Sequence, residues 1–388
     1  MFCQHENVVQ KRSSGSVIKR GKPSDSRFPR QMGSLGLKVL ITGGSGYCGF
    51  YLTCALIREG IRVVLLDILK PTWEIPEGAV FLQGDVQDYE KVLKASEGID
   101  TVFHLASIGM DGAQQKEEIE SVNVGGTKVI IDVCKSGNIS KLIYASTVNV
   151  IFGGIPIEDG DETLPYFPPE KQWDNYSRTK TIAEQMVLAA SGASLQGGEK
   201  LRTCALRFSG IYGPGDQRTI PVFIKVIQRH PVHLISETPD TWMNWIHVDN
   251  ATQAFLLASK ALTAEKNFIA SGQAYFVHDG EKVNFFKWIV VLYEKLDHQK
   301  PSLYLSPFVL KITAIVMEYL HWLLNPIFNF TPLLTQMQVK SVVVTNTFSI
   351  DKARNQLGYS PKPYSPAEVM GHYLQTEPTH KEEGCSFR

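Results

Sequence analysis

Tyr176 and Lys180 stand four residues apart in Tyr-Ser-Arg-Thr-Lys, so a helix at this point puts both on one face. A free tyrosine titrates at about pH 10, too high for a base at neutral pH, and a neighbouring ammonium pulls it down. Tyr176 would then exchange a proton with an alcohol or carbonyl oxygen while Lys180 favours its phenolate form. Spacing alone decides nothing, because with 14 tyrosines in 388 residues about one Y-x-x-x-K arises by chance. The setting decides it: the pair opens a helix that follows a strand ending Tyr144-Ala145-Ser146-Thr147. Parallel strands deliver their C-terminal ends to the ligand crevice, so Ser146 and Thr147 are expected in the same site, with the Thr147 hydroxyl bonding the substrate oxygen. Asn123, in Val-Asn-Val on the preceding helix, reads equally as a relay, a backbone-positioning residue or a helix-interior polar contact.

A second constellation is Thr42-Gly43-Gly44-Ser45-Gly46-Tyr47-Cys48-Gly49. Glycines 44, 46 and 49 satisfy G-x-G-x-x-G, and 43, 46 and 49 satisfy G-x-x-G-x-x-G. Glycine serves here because the turn is tight, the backbone must approach a pyrophosphate, and helix must pack closely on strand. The N–H groups and positive end of the following helix then attract the anion. The pattern is weak alone; its place after the first apolar strand and before a helix points to a dinucleotide. Asp67 ends the second strand, 18 residues beyond Gly49, where a carboxylate accepts ribose hydroxyls and repels a 2′-phosphate. No Arg or Lys follows until Lys70, so NAD is favoured over NADP. Asp85 is placed at the adenine edge, with Tyr47, Val86 and Ala106 assigned to the same cofactor. Lys180 then has a second task, holding the nicotinamide ribose.

These residues need a scaffold. Candidate strands run over 38–42, 61–67, 79–83, 101–106, 141–147 and 203–208, and helical stretches over 47–59, 89–96, 117–136 and 174–190. Short apolar runs alternating with amphipathic segments predict an α/β fold with a doubly wound parallel sheet. After 208 the order loosens, with one strand-like run at 243–248, and a smaller substrate-binding lobe interleaved with the sheet is expected. The organisation read from the chain is a basic leader over 1–36, a nucleotide-binding unit over 37–208, the substrate lobe over 209–372 and a polar tail over 373–388. Residues 308–325, between Pro307 and Pro326, form an apolar segment of 18 residues interrupted by Lys311, Glu318 and His321. Apolar gain and charge penalty nearly cancel on the membrane-insertion scale. An interfacial helix, a helix against a lipid-like ligand and an ordinary core helix all stay open.

With 39 basic and 39 acidic side chains the formal charge is zero, which argues against binding nucleic acid through phosphate contacts. The leader carries seven positive and two negative side chains, 7 − 2 = +5, so the rest sums to −5. It reads as a disordered tail, having neither a secretory apolar core nor the apolar face of a mitochondrial presequence. The six cysteines form no C-x-x-C pair and no H-E-x-x-H occurs, which predicts a reduced, intracellular protein with no metal site.

Thr42 to Gly49, Asp67, Asp85, His104 to Ser107, Asn123, Tyr144 to Thr147, Tyr176 with Lys180, Leu206 to Gly215 and His247 to Asn250 together resemble the extended short-chain dehydrogenase/reductases. Asn149 to Gly154, Ile182 to Gln185 and Leu201 to Arg207 place the likeness in the 3β-hydroxysteroid dehydrogenase/isomerase branch and its family 42E. It spans residues 37–370 in order. The resemblance implies a Rossmann domain with a smaller C-terminal lobe, NAD as cofactor, and catalytic positions at Tyr176, Lys180 and Thr147. It also implies oxidation of a steroid or sterol 3β-hydroxyl, with Δ5–Δ4 isomerisation left open. A homodimer and a cytoplasmic or peripheral endoplasmic-reticulum location are expected, any membrane contact resting on 308–325. Phe208 departs from the family, which commonly has Pro there, and brings the local pocket wall into question. Two alternatives stand beside this reading. One is a nucleotide-sugar epimerase or dehydratase using Arg207, Arg218, Lys225 and Arg229; the other is a non-catalytic NAD-binding sensor.

Overall fold

The computed structural model describes residues 36–109, 114–216, 220, 224, 234–236, 240–296, 303–324 and 336–364. Residues 1–35, which hold all but the last residue of the expected leader, the chain from 365 onward, and Arg218, Lys225 and Arg229 lie outside them.

Apolar runs buried on both faces make strands that only a sheet covered on both sides can accommodate. β1 (Lys38–Thr42), β2 (Arg62–Asp67), β3 (Ala79–Gln83), β4 (Thr101–His104) and β5 (Lys141–Thr147) are joined by strands Arg202–Phe208 and Gln273–Val277. All pairings in this sheet are parallel. Across the sheet the order is Gln273–Val277, Arg202–Phe208, β5, β4, β1, β2, β3. The chain winds outward from β1 to β3, then returns to the other side at β4. Strand order therefore reverses between β1 and β4, and the ligand crevice of such a sheet opens there, at the C-terminal ends.

Two apolar clusters cover the faces. Leu52 and Leu56 of α1 (Tyr47–Arg58) pack with Phe255 of the Val248–Ala261 helix on one side. Val92 of α2 (Tyr89–Ala95), Ile130 of the later helix Thr127–Ser136 and Val187 of Asn175–Ala189 fill the other. A second, four-stranded sheet joins Val283–Asn284, Trp242–Met243, Asn346–Phe348 and Ile157–Gly160 in that order. One strand of the large sheet comes from beyond residue 208 and one of the small sheet from before it, so the chain passes between the layers more than once.

Several elements differ from expectation. The strand Gln273–Val277 was not foreseen; it pairs with Arg202–Phe208 after an intervening excursion through the second layer. The helix expected over 117–136 is divided into α3 (Lys116–Glu120), a π-helical stretch Ser121–Gly126, and α4 (Thr127–Ser136). The run expected as one strand at 243–248 is two, because Asn244 turns its side chain aside: its Nδ2 donates to the Glu281 carbonyl at 3.0 Å and its Oδ1 accepts the Phe348 N–H at 2.8 Å.

The apolar segment is the helix Pro307–Leu324. Among the described residues no helix is long and apolar enough to cross a membrane. Its outer face nonetheless exposes Phe308, Ile312, Ile315, Val316, Tyr319 and Leu323, Phe308 to 70%. Those positions recur every three to four residues and so form one stripe. Glu318 faces the other way, accepting the Gln336 N–H at 2.7 Å and its side-chain amide at 2.6 Å.

Candidate active site

The glycine turn lies at the point where strand order reverses. Gly43 has φ +67°, and an added Cβ would stand 2.8 Å from the Ala106 nitrogen, so β1 and the segment after β4 meet there with no room for a side chain. A Cβ on Gly49 would lie 2.5 Å from the Gly44 carbonyl oxygen, which lets α1 seat directly on the turn. Gly46 precedes α1 without a side-chain cap, and the first turn holds no acid. An anion is therefore the natural complement of that helix end. Asp67 points back at the turn, accepting the Ser45 N–H at 3.0 Å and the Leu69 N–H at 3.1 Å. Its carboxylate is thus fixed at the end of β2 and half-buried, where a ribose diol fits. The cradle, the uncapped helix and the placed acid together fit an adenine dinucleotide.

The other assigned residues divide. Asp85 accepts the Gln87 N–H at 2.9 Å, forming the turn into α2. Ala106 closes over Gly43, its N–H donating to Thr42 Oγ1 at 3.3 Å. Val86 is core: it is buried against Gly126, where a Cβ would come within 2.7 Å of it. Tyr47 packs edge-on against Tyr51 with its hydroxyl beside Gly213, so at this position the backbone, rather than the ring, is what the turn offers a phosphate.

α5 (Asn175–Ala189) begins under an Asp174 cap whose carboxylate accepts the Ser177 N–H at 2.7 Å. Tyr176 and Lys180 lie on its buried face, against β5. Lys180 is only 2% exposed; its Nζ donates to the Ala145 carbonyl at 2.5 Å and sits 4.1 Å from the centre of the Tyr144 ring. Burial pulls its pKa down to about 7, with the Glu184 charge acting in the opposite direction. Thr147 ends β5 and its Oγ1 accepts the Asn149 N–H at 3.3 Å.

Ser146 departs from expectation. Successive strand residues point to opposite faces, and the Ser146 hydroxyl donates to the buried Glu184 carboxylate instead of facing the same side as Thr147. Arg207, read as a cation for a substrate diphosphate, is likewise engaged: its Nε and Nη2 donate to Glu184 Oε1 at 2.9 and 2.7 Å. Phe208 is core, packed against Phe255 with ring centres 5.0 Å apart.

Asn123 is a positioning residue for backbone. In the π-helical stretch its amide pairs both ways with Ile108, accepting its N–H and donating to its carbonyl, each at 2.9 Å, and donates to Thr179 Oγ1 at 2.9 Å. Sequence reasoning missed three partners. His104 links Thr42 Oγ1 at 2.7 Å to Thr127 Oγ1 at 3.0 Å beneath the crevice. Glu184 and Tyr166 flank Arg207, Tyr166 donating to Glu184 at 2.8 Å. The available signal was helical spacing, since Glu184 follows Lys180 by four residues and so shares its face.

A doubly wound parallel sheet with a glycine turn at its switch point and a Tyr/Lys helix at the end of β5 defines an extended short-chain dehydrogenase/reductase. Comparison with known proteins narrows this. The chain belongs to the 3-beta hydroxysteroid dehydrogenase/isomerase family, whose model matches residues 40–307. Among its relatives, short-chain dehydrogenase/reductase family 42E member 1 of Homo sapiens is 46% identical over 337 residues, 86% of either chain. A 3 beta-hydroxysteroid dehydrogenase/Delta 5-->4-isomerase of Mycobacterium tuberculosis is 33% identical over 344 residues, 86% of this chain and 90% of that one. In fold the chain is similar to a dTDP-glucose 4,6-dehydratase from Streptomyces venezuelae, with a TM-score of 0.65 at 17% identity covering 88% of this chain and 96% of that one.

Proposed function

We propose that the protein is an NAD-dependent oxidoreductase that converts the 3β-hydroxyl of a steroid or sterol to a ketone. The observation that carries this reading is the buried Tyr176–Lys180 face of α5, docked on the end of β5 in the same parallel sheet whose β1 and β2 end in the glycine turn and Asp67. Bound NAD⁺ supplies a hydride acceptor for the carbinol carbon. Tyr176 takes the hydroxyl proton on its phenolate oxygen and returns it in the reverse direction. Lys180, as an ammonium, favours that phenolate and holds the nicotinamide ribose. Thr147 donates a hydrogen bond to the substrate oxygen. Asp67 accepts from the adenine ribose and selects against a 2′-phosphate.

Steroid, rather than nucleotide sugar, is supported by two things. The relatives that match over most of the chain include one named as a 3 beta-hydroxysteroid enzyme. Arg207, a candidate for a substrate diphosphate, is already paired with Glu184 at 2.7 Å. The exposed stripe of Pro307–Leu324 supports a peripheral contact with a lipid surface, the place from which an apolar substrate would come. On the opposite side of that helix, Glu318 accepts from Gln336 of the helix Gln336–Val343. Lys340 of the same helix lies over the Trp173 ring, three residues before Tyr176.

Incubation of the purified chain with NAD⁺ and a panel of 3β-hydroxysteroids and sterols, followed by mass spectrometry of the products, tests the reading. Ketone formation is expected, and a conjugated product would add the isomerisation. Turnover of a uridine nucleotide sugar with none of any steroid would overturn it.

A further inference from the structure

A buried polar cluster adjoins the proton-transfer pair and lies outside the roles assigned above. Glu184 is 0% exposed, one helical turn beyond Lys180. Its Oε1 accepts from Arg207 Nε and Nη2 at 2.9 and 2.7 Å and from the Tyr166 hydroxyl at 2.8 Å, while Oε2 accepts from the Ser146 hydroxyl. Tyr166 and Phe276 rings flank the guanidinium at 5.2 and 5.1 Å. Stability alone is a poor reason for such an arrangement, because well-packed apolar residues often replace a buried ion pair without loss. Its location supplies another reason. Lys180 Nζ is tied to the carbonyl of Ala145 and Glu184 to the side chain of Ser146. Two consecutive residues of β5, just before Thr147, are thus fastened to two consecutive turns of α5.

We propose that Glu184 is a positioning residue for the Tyr176–Lys180 pair: held by Arg207 and tied to Ser146, its carboxylate fixes α5 against the end of β5 and supplies the negative charge that keeps the buried Lys180 an ammonium. The inference rests on the catalytic reading of Tyr176 and Lys180. The groups around Lys180 make Glu184 the relevant charge. From β4 comes His104, which burial holds neutral with a pKa near about 3. From β5 comes Tyr144, which burial holds far above the ordinary phenol range. From its own helix come Tyr176 and Glu184. Around Glu184 stand Arg207, Tyr166, Ser146 and Tyr144. Burial drives Lys180 toward its neutral form, and Glu184 opposes it.

The test uses the full chain as wild type, Glu184→Gln, and Glu184→Gln with Arg207→Met, the last removing both charges so that no guanidinium is left buried without a counter-ion. The lysines are labelled with carbon-13, and the Lys180 ε-carbon resonance, assigned by its loss in Lys180→Arg, is titrated; the pH profile of steroid oxidation is measured in parallel. Both variants are expected to lower the Lys180 midpoint by about one pH unit. The rising limb of kcat should move to higher pH, since a weaker ammonium leaves Tyr176 less acidic. A folded double variant with the wild-type midpoint and profile would overturn the proposal and leave Glu184 a partner of Arg207 alone. The NMR titration needs no substrate, so a wild-type chain that turns over no steroid contradicts the proposed function, whereas an unmoved midpoint contradicts the role of Glu184.

Discussion

Tyr176 and Lys180 are polar groups buried on one face of α5, and the role proposed for them depends on that placement. Burial drives Lys180 toward its neutral form and the Glu184 charge opposes it, and under the proposed function that ammonium favours the Tyr176 phenolate one helical turn away. The same physics acts on three histidines outside the proton-transfer step. Burial pulls His104 down to about 3, and His247 and His278 to about 4 each. Each folded pKa lies below the ordinary value of about 6.5, so their neutral forms contribute full stability above that pH. Stability is then lost as pH falls toward 4, by about 1.4 kcal/mol per pH unit for each group that titrates only on unfolding. Urea midpoints measured from pH 7 to pH 4 should therefore fall steeply, and His104→Asn should flatten the slope; a pH-independent midpoint would contradict it. The Tyr/Lys pair and Asp67 were legible from spacing only together with their setting, a helix opening after the strand that ends at Thr147 and an acid ending the second strand. Ser146 and Arg207 were not, because a strand's two faces look alike in sequence until the helix that covers one of them is known. The partner of both, Glu184, carried only its spacing from Lys180.

At the scale of elements, glycine decides how closely strand, turn and helix approach. Gly49→Ala puts a Cβ 2.5 Å from the Gly44 oxygen, so α1 must lift off the turn and the phosphate cradle opens. NAD affinity, measured by calorimetry, should fall at least about tenfold with the circular-dichroism spectrum kept, a loss of about 1.4 kcal/mol; unchanged affinity would show that the turn does not hold the cofactor. The π-helical stretch does comparable work for the other wall, carrying Asn123 to the Ile108 backbone. Asn123→Ala leaves the half-buried N–H and carbonyl of Ile108 without that partner and should cost about 1 kcal/mol. Thermal melts would register this, and an unaltered melting temperature would count against the clamp. Six strands of the large sheet were readable because apolar runs of five to seven residues alternate with amphipathic helices. Thr101–His104 is shorter, its run continuing into Leu105 and Ala106 beyond the ladder. The seventh escaped because Gln273–Val277 follows a loop within the looser half of the chain, with no crossover rhythm to announce it. The π-helical division of 116–136 has no compositional signature in this sequence.

For the whole molecule, the neutral formal charge conceals two unlike parts, a leader of +5 and a remainder of −5. Deleting residues 1–36 should leave NAD affinity unchanged, since β1 and its turn begin after them; an altered affinity would give the leader a part in the site. The exposed stripe on Pro307–Leu324 belongs to the same scale. Replacing Ile312 and Val316 with glutamate should reduce co-sedimentation with phosphatidylcholine vesicles several-fold while leaving NAD binding intact, because charge opposes entry of that face into lipid. Equal sedimentation of both forms would remove the lipid contact. The most direct measurement of all compares the wild-type chain with Tyr176→Phe, which keeps the ring and removes the proton acceptor. Each is saturated with NAD⁺ and supplied with a 3β-hydroxysteroid, and NADH formation is followed. The wild type should reduce NAD⁺, and the variant should bind it equally yet turn over about 100-fold to 10,000-fold more slowly. Equal rates in the two would contradict the role of Tyr176 on which the account rests.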